Sequence, residues 1–141
     1  MIYYLIASIL IAVAALFART KRAVLAAGIL FYAVQIAAAG LLLWGGLYDT
    51  TSAAFFTFDA LGTLFYLLLV VVSMYVFGHS EAYLQGEDLR SYRLYFALLM
   101  LLTTAIAGAY FANNLAVTWI FLEATTLCSA GIIYHRRTAQ A

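Results

Sequence analysis

The chain has 141 residues, of which 67% are hydrophobic and only 9% are charged. An average globular domain is about 45–50% apolar and about 25% charged, so this composition excludes an ordinary soluble monomer. A net charge of +1 excludes the basic surface that nucleic-acid binding requires. The single cysteine, Cys128, excludes an internal disulfide and any CxxC site, and we expect it to be a small packing residue.

Five continuous apolar runs follow one another, each of 18 to 25 residues and thus long enough to cross a bilayer as a helix. Helices are favoured over barrel strands because apolar residues do not alternate with polar ones. No positive residue precedes the first run, so it is not interpreted as a signal peptide. The sequence predicts an all-α integral membrane protein, one domain covering 1–141, with transmembrane helices at about 1–18, 23–47, 58–77, 94–112 and 115–134.

The positive charges predict how these helices are oriented. All seven Lys and Arg residues lie in three segments, at 19–22, at 90–93 and at 136–137. With five helices these segments share one side of the membrane, and the positive-inside rule makes that side cytoplasmic. We therefore expect an N-terminus outside, a cytoplasmic C-terminus and a location in the cytoplasmic (inner) membrane of the cell.

Glu123 is the residue of greatest functional interest, because it is the one charge in the fifth run. Nine residues separate it from Asn114, which places it ~13 Å deep, near the middle of a ~30 Å core. A charged side chain at that depth costs at least about 2.5–3.5 kcal/mol and often marks a proton or ion path. The alternative is a permanently protonated, hydrogen-bonded glutamate. None of the five runs contains Lys, Arg or His, so the sequence offers Glu123 no buried cation.

The neighbours of Glu123 extend the predicted proton path. Thr126 lies one helical turn away on the same face, and Thr125 and Ser129 add nearby hydroxyls. These hydroxyls either hold water and donate to the carboxylate or bond back to their own backbone. Trp119, one turn earlier, is expected to pack.

Two other runs each contain a polar residue with a structural and a functional interpretation. Asp59 begins the third run, where a carboxylate caps a helix N-terminus or, alternatively, serves ion entry or a subunit contact. Gln35 lies near the centre of the second run, where an amide bonds to another helix or, alternatively, lines a water path.

The remaining polar residues give weaker signals. His79 and His135 lie at cytoplasmic helix ends and suit proton exchange, but two histidines do not make a metal site. No catalytic motif occurs in the chain, so no cofactor and no metal are expected. Six tyrosines near helix ends are interpreted as interfacial aromatics: Tyr3, Tyr4, Tyr48, Tyr92, Tyr95 and Tyr134.

The segment from Trp119 to Ser129, read with the Asn113-Asn114 turn before it and 134–138 after it, resembles antiporter-like membrane subunits. These subunits belong to respiratory complex I, to hydrogenase-4 and formate hydrogenlyase, and to Mrp antiporters. The Glu-Ala-Thr-Thr-Leu sequence at 123–127 is most similar to the hydrogenase-4 type. The segment 58–65 is similar to the start of the family's third helix. The resemblance covers about 55–141.

The resemblance implies a non-catalytic, proton-translocating subunit of a membrane-bound oxidoreductase, corresponding to the N-terminal five-helix part of a longer family subunit. In the family the fifth-helix glutamate, here Glu123, works with a lysine on a later helix. The implied partners are therefore the bilayer and other membrane subunits, including a chain that supplies a buried lysine. The ion (H⁺ or Na⁺) and the electron donor stay open. The alternatives are an assembly scaffold without transport and an oligomeric ion channel.

Overall fold

The computed structural model describes residues 1–45 and 55–138, with side chains described as far as 134. This part of the chain is all-α, as predicted, and every predicted helix is present. The helices, in chain order, are α1 (Ile2–Leu16), α2 (Lys21–Leu43), α3 (Ala60–Tyr83), α4 (Leu89–Phe111) and α5 (Leu115–Thr138).

Four of the five helices, α2 to α5, are long and apolar enough to cross a membrane. The first is shorter: α1 has 15 residues, and at ~1.5 Å per residue it is less long than the ~30 Å hydrocarbon core is thick. The architecture therefore fits a multi-pass membrane protein with four long candidate spans and one shorter apolar helix.

Several helix boundaries differ from the predicted ones. The second helix ends at Leu43 instead of 47, because the chain turns at Gly45, which has a positive φ of 73°. The third starts at Ala60 instead of 58, after Asp59 in an extended conformation. The fourth starts at Leu89, five residues before the predicted 94. An apolar run stops at its first charge, whereas a helix continues until its backbone hydrogen bonds end.

The central helix of the bundle is α4, which packs against each of the other four. In the most apolar stretch of α4, 56% of the residues are buried, whereas no residue in the corresponding stretch of α5 is fully buried. Among the described helices α5 packs against α4 alone. Gly108 permits their close approach, because the ring of Phe121 occupies the space that a Cβ would need. One long face of α5 is therefore left uncovered.

At one end of the bundle, hydrogen bonds join the connection between α1 and α2 to the connection between α3 and α4. The Lys21 ammonium donates to the carbonyl oxygens of Gln85 (2.9 Å) and Glu87 (2.6 Å). The Arg93 guanidinium donates to the carbonyl oxygen of Ala18 (3.1 Å). We call this end, made of 18–22 and 84–93, the basic end. Its contacts agree with the prediction that these two cationic segments share one side.

Backbone pairing closes the opposite end of the bundle. The N–H of Thr57 donates to the Phe111 carbonyl (2.8 Å), and that of Asn113 donates to the Phe55 carbonyl (2.7 Å). Asn114 then starts α5, its side-chain oxygen accepting from the N–H of Ala116 (2.9 Å). The predicted tight turn between the fourth and fifth helices is therefore confirmed, and α4 and α5 run antiparallel.

Candidate functional site

Glu123 lies on the uncovered face of α5. Its side chain is exposed in the described chain and points away from α4. The exposed members of this face are Trp119, Ile120, Leu122, Glu123, Thr126, Leu127, Ala130, Ile133 and Tyr134. We call these nine residues the Glu123 face. It is an apolar surface with one carboxylate near its centre.

The carboxylate of Glu123 has a hydrogen-bond partner on its own helix. The indole Nε1–H of Trp119 donates to Oε1 of Glu123 at 2.8 Å. The two residues are four apart and so lie one turn above the other. Against the described helices Trp119 does not pack as expected: the indole is 66% exposed and donates to the carboxylate.

The three hydroxyls near Glu123 bond to their own helix. Both Thr125 (2.6 Å) and Thr126 (3.0 Å) donate to the carbonyl oxygen of Leu122. Ser129 donates to the carbonyl oxygen of Thr125 (2.7 Å). These contacts correspond to the back-bonding interpretation, one of the two weighed from the sequence. Each hydroxyl oxygen still has lone pairs with which it can accept from water.

Gln35 forms the centre of a buried polar cluster that joins three helices. Its Oε1 accepts from the hydroxyls of Tyr4 on α1 (2.6 Å) and Tyr66 on α3 (2.8 Å). Its Nε2 donates to Ser8 on α1 at 3.4 Å. Gln35 and Ser8 are fully buried, and Tyr66 is 1% exposed. The prediction that this amide bonds across to another helix is confirmed, and the partners are two tyrosines and a serine.

Sequence reasoning missed three members of this cluster. Tyr4 was interpreted as an interfacial aromatic, but its hydroxyl points inward to Gln35. Ser8 and Tyr66 were not singled out. Tyr66 carried a usable signal, because it lies two turns inside an apolar run, deeper than an interfacial tyrosine.

Two more of the predicted interfacial tyrosines have roles in packing at the basic end. Tyr92 is 2% exposed, and the Lys21 ammonium lies 5.4 Å from its ring centroid. Tyr95 shares a hydrogen bond of 2.9 Å with the hydroxyl of Ser80. Tyr3 and Tyr134 are exposed near helix ends, as predicted, and Tyr48 lies outside the described residues.

Asp59 is the N-cap of α3, as the capping interpretation has it. Its Oδ1 accepts a hydrogen bond from the backbone N–H of Gly62 at 3.1 Å. Its backbone carbonyl accepts from the Thr63 hydroxyl at 2.8 Å. Asp59 therefore satisfies backbone donors at a helix start, where the helix dipole also favours a negative charge.

This capping geometry predicts that Asp59→Ala lowers stability and leaves transport unchanged. Loss of the cap is expected to cost about 0.5–2 kcal/mol of unfolding free energy. Unfolding in detergent, monitored by circular dichroism, measures the loss. Thr20→Ala is the matched control, because Thr20 caps α2 through its hydroxyl and Ala23 in the same way. A transport defect in Asp59→Ala at unchanged stability would instead favour the ion-entry interpretation.

His79, the one histidine whose side chain is described, does not join the other candidates. The His79 ring stacks on that of Tyr75, with centroids 6.2 Å apart, near the basic end and on the surface. The His135 side chain lies outside the described residues. Among the described residues no group of three or more His, Cys, Asp or Glu could hold a metal ion.

The predicted site residues thus fall into three separate places. One group lies on α5 and consists of Glu123, Thr125, Thr126 and Ser129. Gln35 lies among α1, α2 and α3. Asp59 caps α3 at the end of the bundle opposite the basic end. The first group is a carboxylate with an indole donor on a surface that no described helix covers. Such a carboxylate can accept hydrogen bonds from, or form an ion pair with, a group that covers this face.

No family model, no curated protein and no solved structure matches this chain. Fold and composition alone therefore classify it. The chain is a small all-helical protein with four helices long and apolar enough to span a membrane, together with a shorter apolar helix, and no family is identified for it.

Proposed function

We propose that this chain is a proton-translocating subunit of a membrane-bound oxidoreductase complex of the hydrogenase-4 or complex I type. In this proposal Glu123 is the proton-exchanging group, and a partner subunit covers the Glu123 face. The chain itself carries out no redox chemistry. Its basic end faces the cytoplasm, and its membrane is the cytoplasmic membrane.

The observation that carries this proposal is the exposed carboxylate near the centre of an apolar face. In hydrocarbon an ionised carboxylate costs several kcal/mol, and one hydrogen bond from Trp119 does not offset that cost. A helix that keeps such a residue needs a partner that solvates it. The Glu123 face is therefore a contact surface in this proposal and not a surface for lipid.

The charge distribution indicates what the partner must bring. The cations of the described helices lie in the first two turns of α2 and α4 and in the last turn of α5, and the apolar runs contain none. A second copy of this chain could offer Glu123 only another glutamate at the same depth. A different subunit with a Lys or Arg within a membrane helix would instead give the carboxylate a partner whose charge interaction changes with protonation.

The local resemblance of 119–129 to antiporter-like subunits supports the same assignment. It places Glu123 at the position of the family glutamate that works with a lysine on a later helix. Of this glutamate–lysine pair, residues 1–141 supply the glutamate and contain no lysine within an apolar run. The resemblance therefore implies that the lysine lies outside residues 1–141, on a second chain or on a longer parent chain.

Cysteine cross-linking tests the proposed partner contact. In a Cys128→Ser background, Leu127→Cys places a thiol one turn from Glu123, at a position that is 71% exposed. The full chain replaces the native one in its own membranes, and the thiol is alkylated with benzophenone-4-maleimide, whose photoactivated ketone inserts into C–H bonds of a neighbouring protein or lipid. We expect a cross-link to another membrane subunit, identified by mass spectrometry, that carries a Lys or Arg inside an apolar run.

Leu68→Cys is the matched control, because Leu68 is 61% exposed on α3, away from α5. We expect at least tenfold less cross-linked product from this position. A cross-link between two copies of this chain would favour the oligomeric channel instead. Equal labelling at both positions, with lipid as the sole neighbour, would contradict the proposal.

A further inference from the structure

The basic end carries an excess of positive charge that its own contacts do not neutralise. Five cations lie there, at Arg19, Lys21, Arg22, Arg90 and Arg93. Two carboxylates lie there, on Glu87 and Asp88, and a third, on Glu81, lies three residues before this end. The basic residues Arg136 and Arg137 follow near the end of α5, which runs back toward this end. The excess is therefore local and not a property of the whole chain.

Two of these cations are held by backbone oxygens and not by carboxylates. Lys21 donates to two carbonyls of the turn between α3 and α4, and Arg93 donates to one carbonyl of the turn after α1. Carbonyl oxygens orient these side chains but bring no counter-charge. The Nε of Arg93 is buried and has no partner among the described residues.

The other three cations, Arg19, Arg22 and Arg90, are exposed. They lie within a few residues of the apolar parts of α2 and α4, which begin at about 23 and 94. In a bilayer this is the depth of the lipid phosphates, because the phosphates border the hydrocarbon core.

The helix dipoles make the same end more positive. Both α2 and α4 begin there, and neither has an acidic residue in its first turn. Arg22 and Arg90 lie in those first turns, at the positive ends of the dipoles, where cations are unfavourable. Asp88 precedes α4, but its side chain makes no capping hydrogen bond. An anion bound at this end would offset both the side-chain charges and the dipoles.

We propose that the basic end binds the headgroup phosphate of an anionic phospholipid at the starts of α2 and α4, through Arg19, Arg22 and Arg90. The site follows from the charges and the apolar spans alone. It does not depend on the role of Glu123.

Lipid titration of the purified full chain tests this site. The chain is held in a neutral detergent, and dioleoyl phosphatidylglycerol or dioleoyl phosphatidylcholine is added in steps. Native mass spectrometry measures the bound fraction of each lipid. We expect phosphatidylglycerol to bind at least tenfold more tightly, and this preference to weaken as salt rises.

The decisive variant carries Arg19→Gln, Arg22→Gln and Arg90→Gln together. Each arginine near the surface contributes about fivefold to binding, so the triple variant should lose on the order of a hundredfold. The matched control replaces the same three residues with Lys, which keeps the charge and should keep most of the preference. Circular dichroism checks helix content. If the triple variant does not fold, Arg90→Gln alone should bind about fivefold more weakly.

Three outcomes would overturn the proposal. The first is equal binding of the two lipids by the native chain. The second is an unchanged preference in a folded glutamine variant. The third is displacement of phosphatidylglycerol by millimolar inorganic phosphate, which would show a site for a soluble anion and not for a lipid.

Discussion

Replacing Glu123 with Gln is expected to reduce proton translocation by the assembled complex by about tenfold or more, because Gln cannot carry a titratable proton. The amide keeps the size of the side chain, and its oxygen can still accept the hydrogen bond from Trp119. Removing the charge also lowers the cost of placing α5 in the membrane. The complex should therefore assemble normally and lose transport alone.

The measurement uses inside-out vesicles from cells in which the variant replaces the native chain. Proton uptake is followed by quenching of a pH-sensitive dye while NADH, hydrogen or formate is supplied in turn. Electron-transfer rate and the amount of assembled complex are measured on the same vesicles. Glu123→Asp keeps the carboxyl group on a side chain that is one methylene shorter, so we expect partial proton uptake.

Glu81→Gln is the matched control for the removal of one carboxylate. Glu81 is half-buried near the basic end, far along the bundle from Glu123, and its loss should leave proton uptake unchanged. Unaffected uptake in Glu123→Gln, with the complex intact, would contradict the proposed function. That result would favour the assembly scaffold.

Replacing Gln35 with Leu is expected to lower the unfolding free energy by about 2–4 kcal/mol. The substitution strands the hydroxyl of Tyr4, which donates to Oε1 of Gln35, whereas the Tyr66 hydroxyl keeps the backbone carbonyl of residue 35 as an acceptor at 3.1 Å. A buried donor that loses its acceptor costs about 1–3 kcal/mol, whereas interhelical hydrogen bonds measured in membranes contribute less than about 2 kcal/mol each. The short helix α1 should be affected most, since Tyr4 and Ser8 both join it to this cluster.

Unfolding in mixed detergent and SDS measures this effect. Thr104→Val is the matched control, because its hydroxyl is equally buried but bonds to the Met100 carbonyl of its own helix. Its removal should cost less than about 1 kcal/mol. Adding Tyr4→Phe to Gln35→Leu should restore part of the loss, because the stranded hydroxyl is then absent. A Gln35→Leu variant as stable as Thr104→Val would show that the cluster contributes little.

The helix ends show where reading a sequence succeeds and where it is limited. Asp59 is recognisable as a cap because side-chain capping is local: Oδ1 needs only the N–H of Gly62, three residues later. The start of α4 at Leu89 was missed because charged residues, among them Arg90 and Arg93, interrupt the apolar pattern without interrupting the helix. Hydropathy reports where a helix meets lipid, and hydrogen bonding reports where it ends.

The surroundings of Glu123 and Gln35 show a second limit. Both were identified by type and depth, since a carboxylate or amide in an apolar run is costly wherever it faces. Their partners were not identified. Gln35 meets tyrosines from α1 and α3, which are 31 residues away in either direction. Trp119 was expected to pack and instead donates to Glu123.

The sequence by itself determined the number of helices, their apolar character and the clustering of cations. It predicted five membrane spans, of which four are long apolar helices and the first is shorter. Each of these depends on composition along the chain. The tertiary structure decided which helix is central, which face of α5 stays uncovered and which hydroxyls reach Gln35. The physical reason is that these helices are apolar on nearly every side, because lipid and protein interior favour the same side chains. Because these helices have no polar face, the sequence pattern does not show which surface packs against another helix. Tertiary packing decides it.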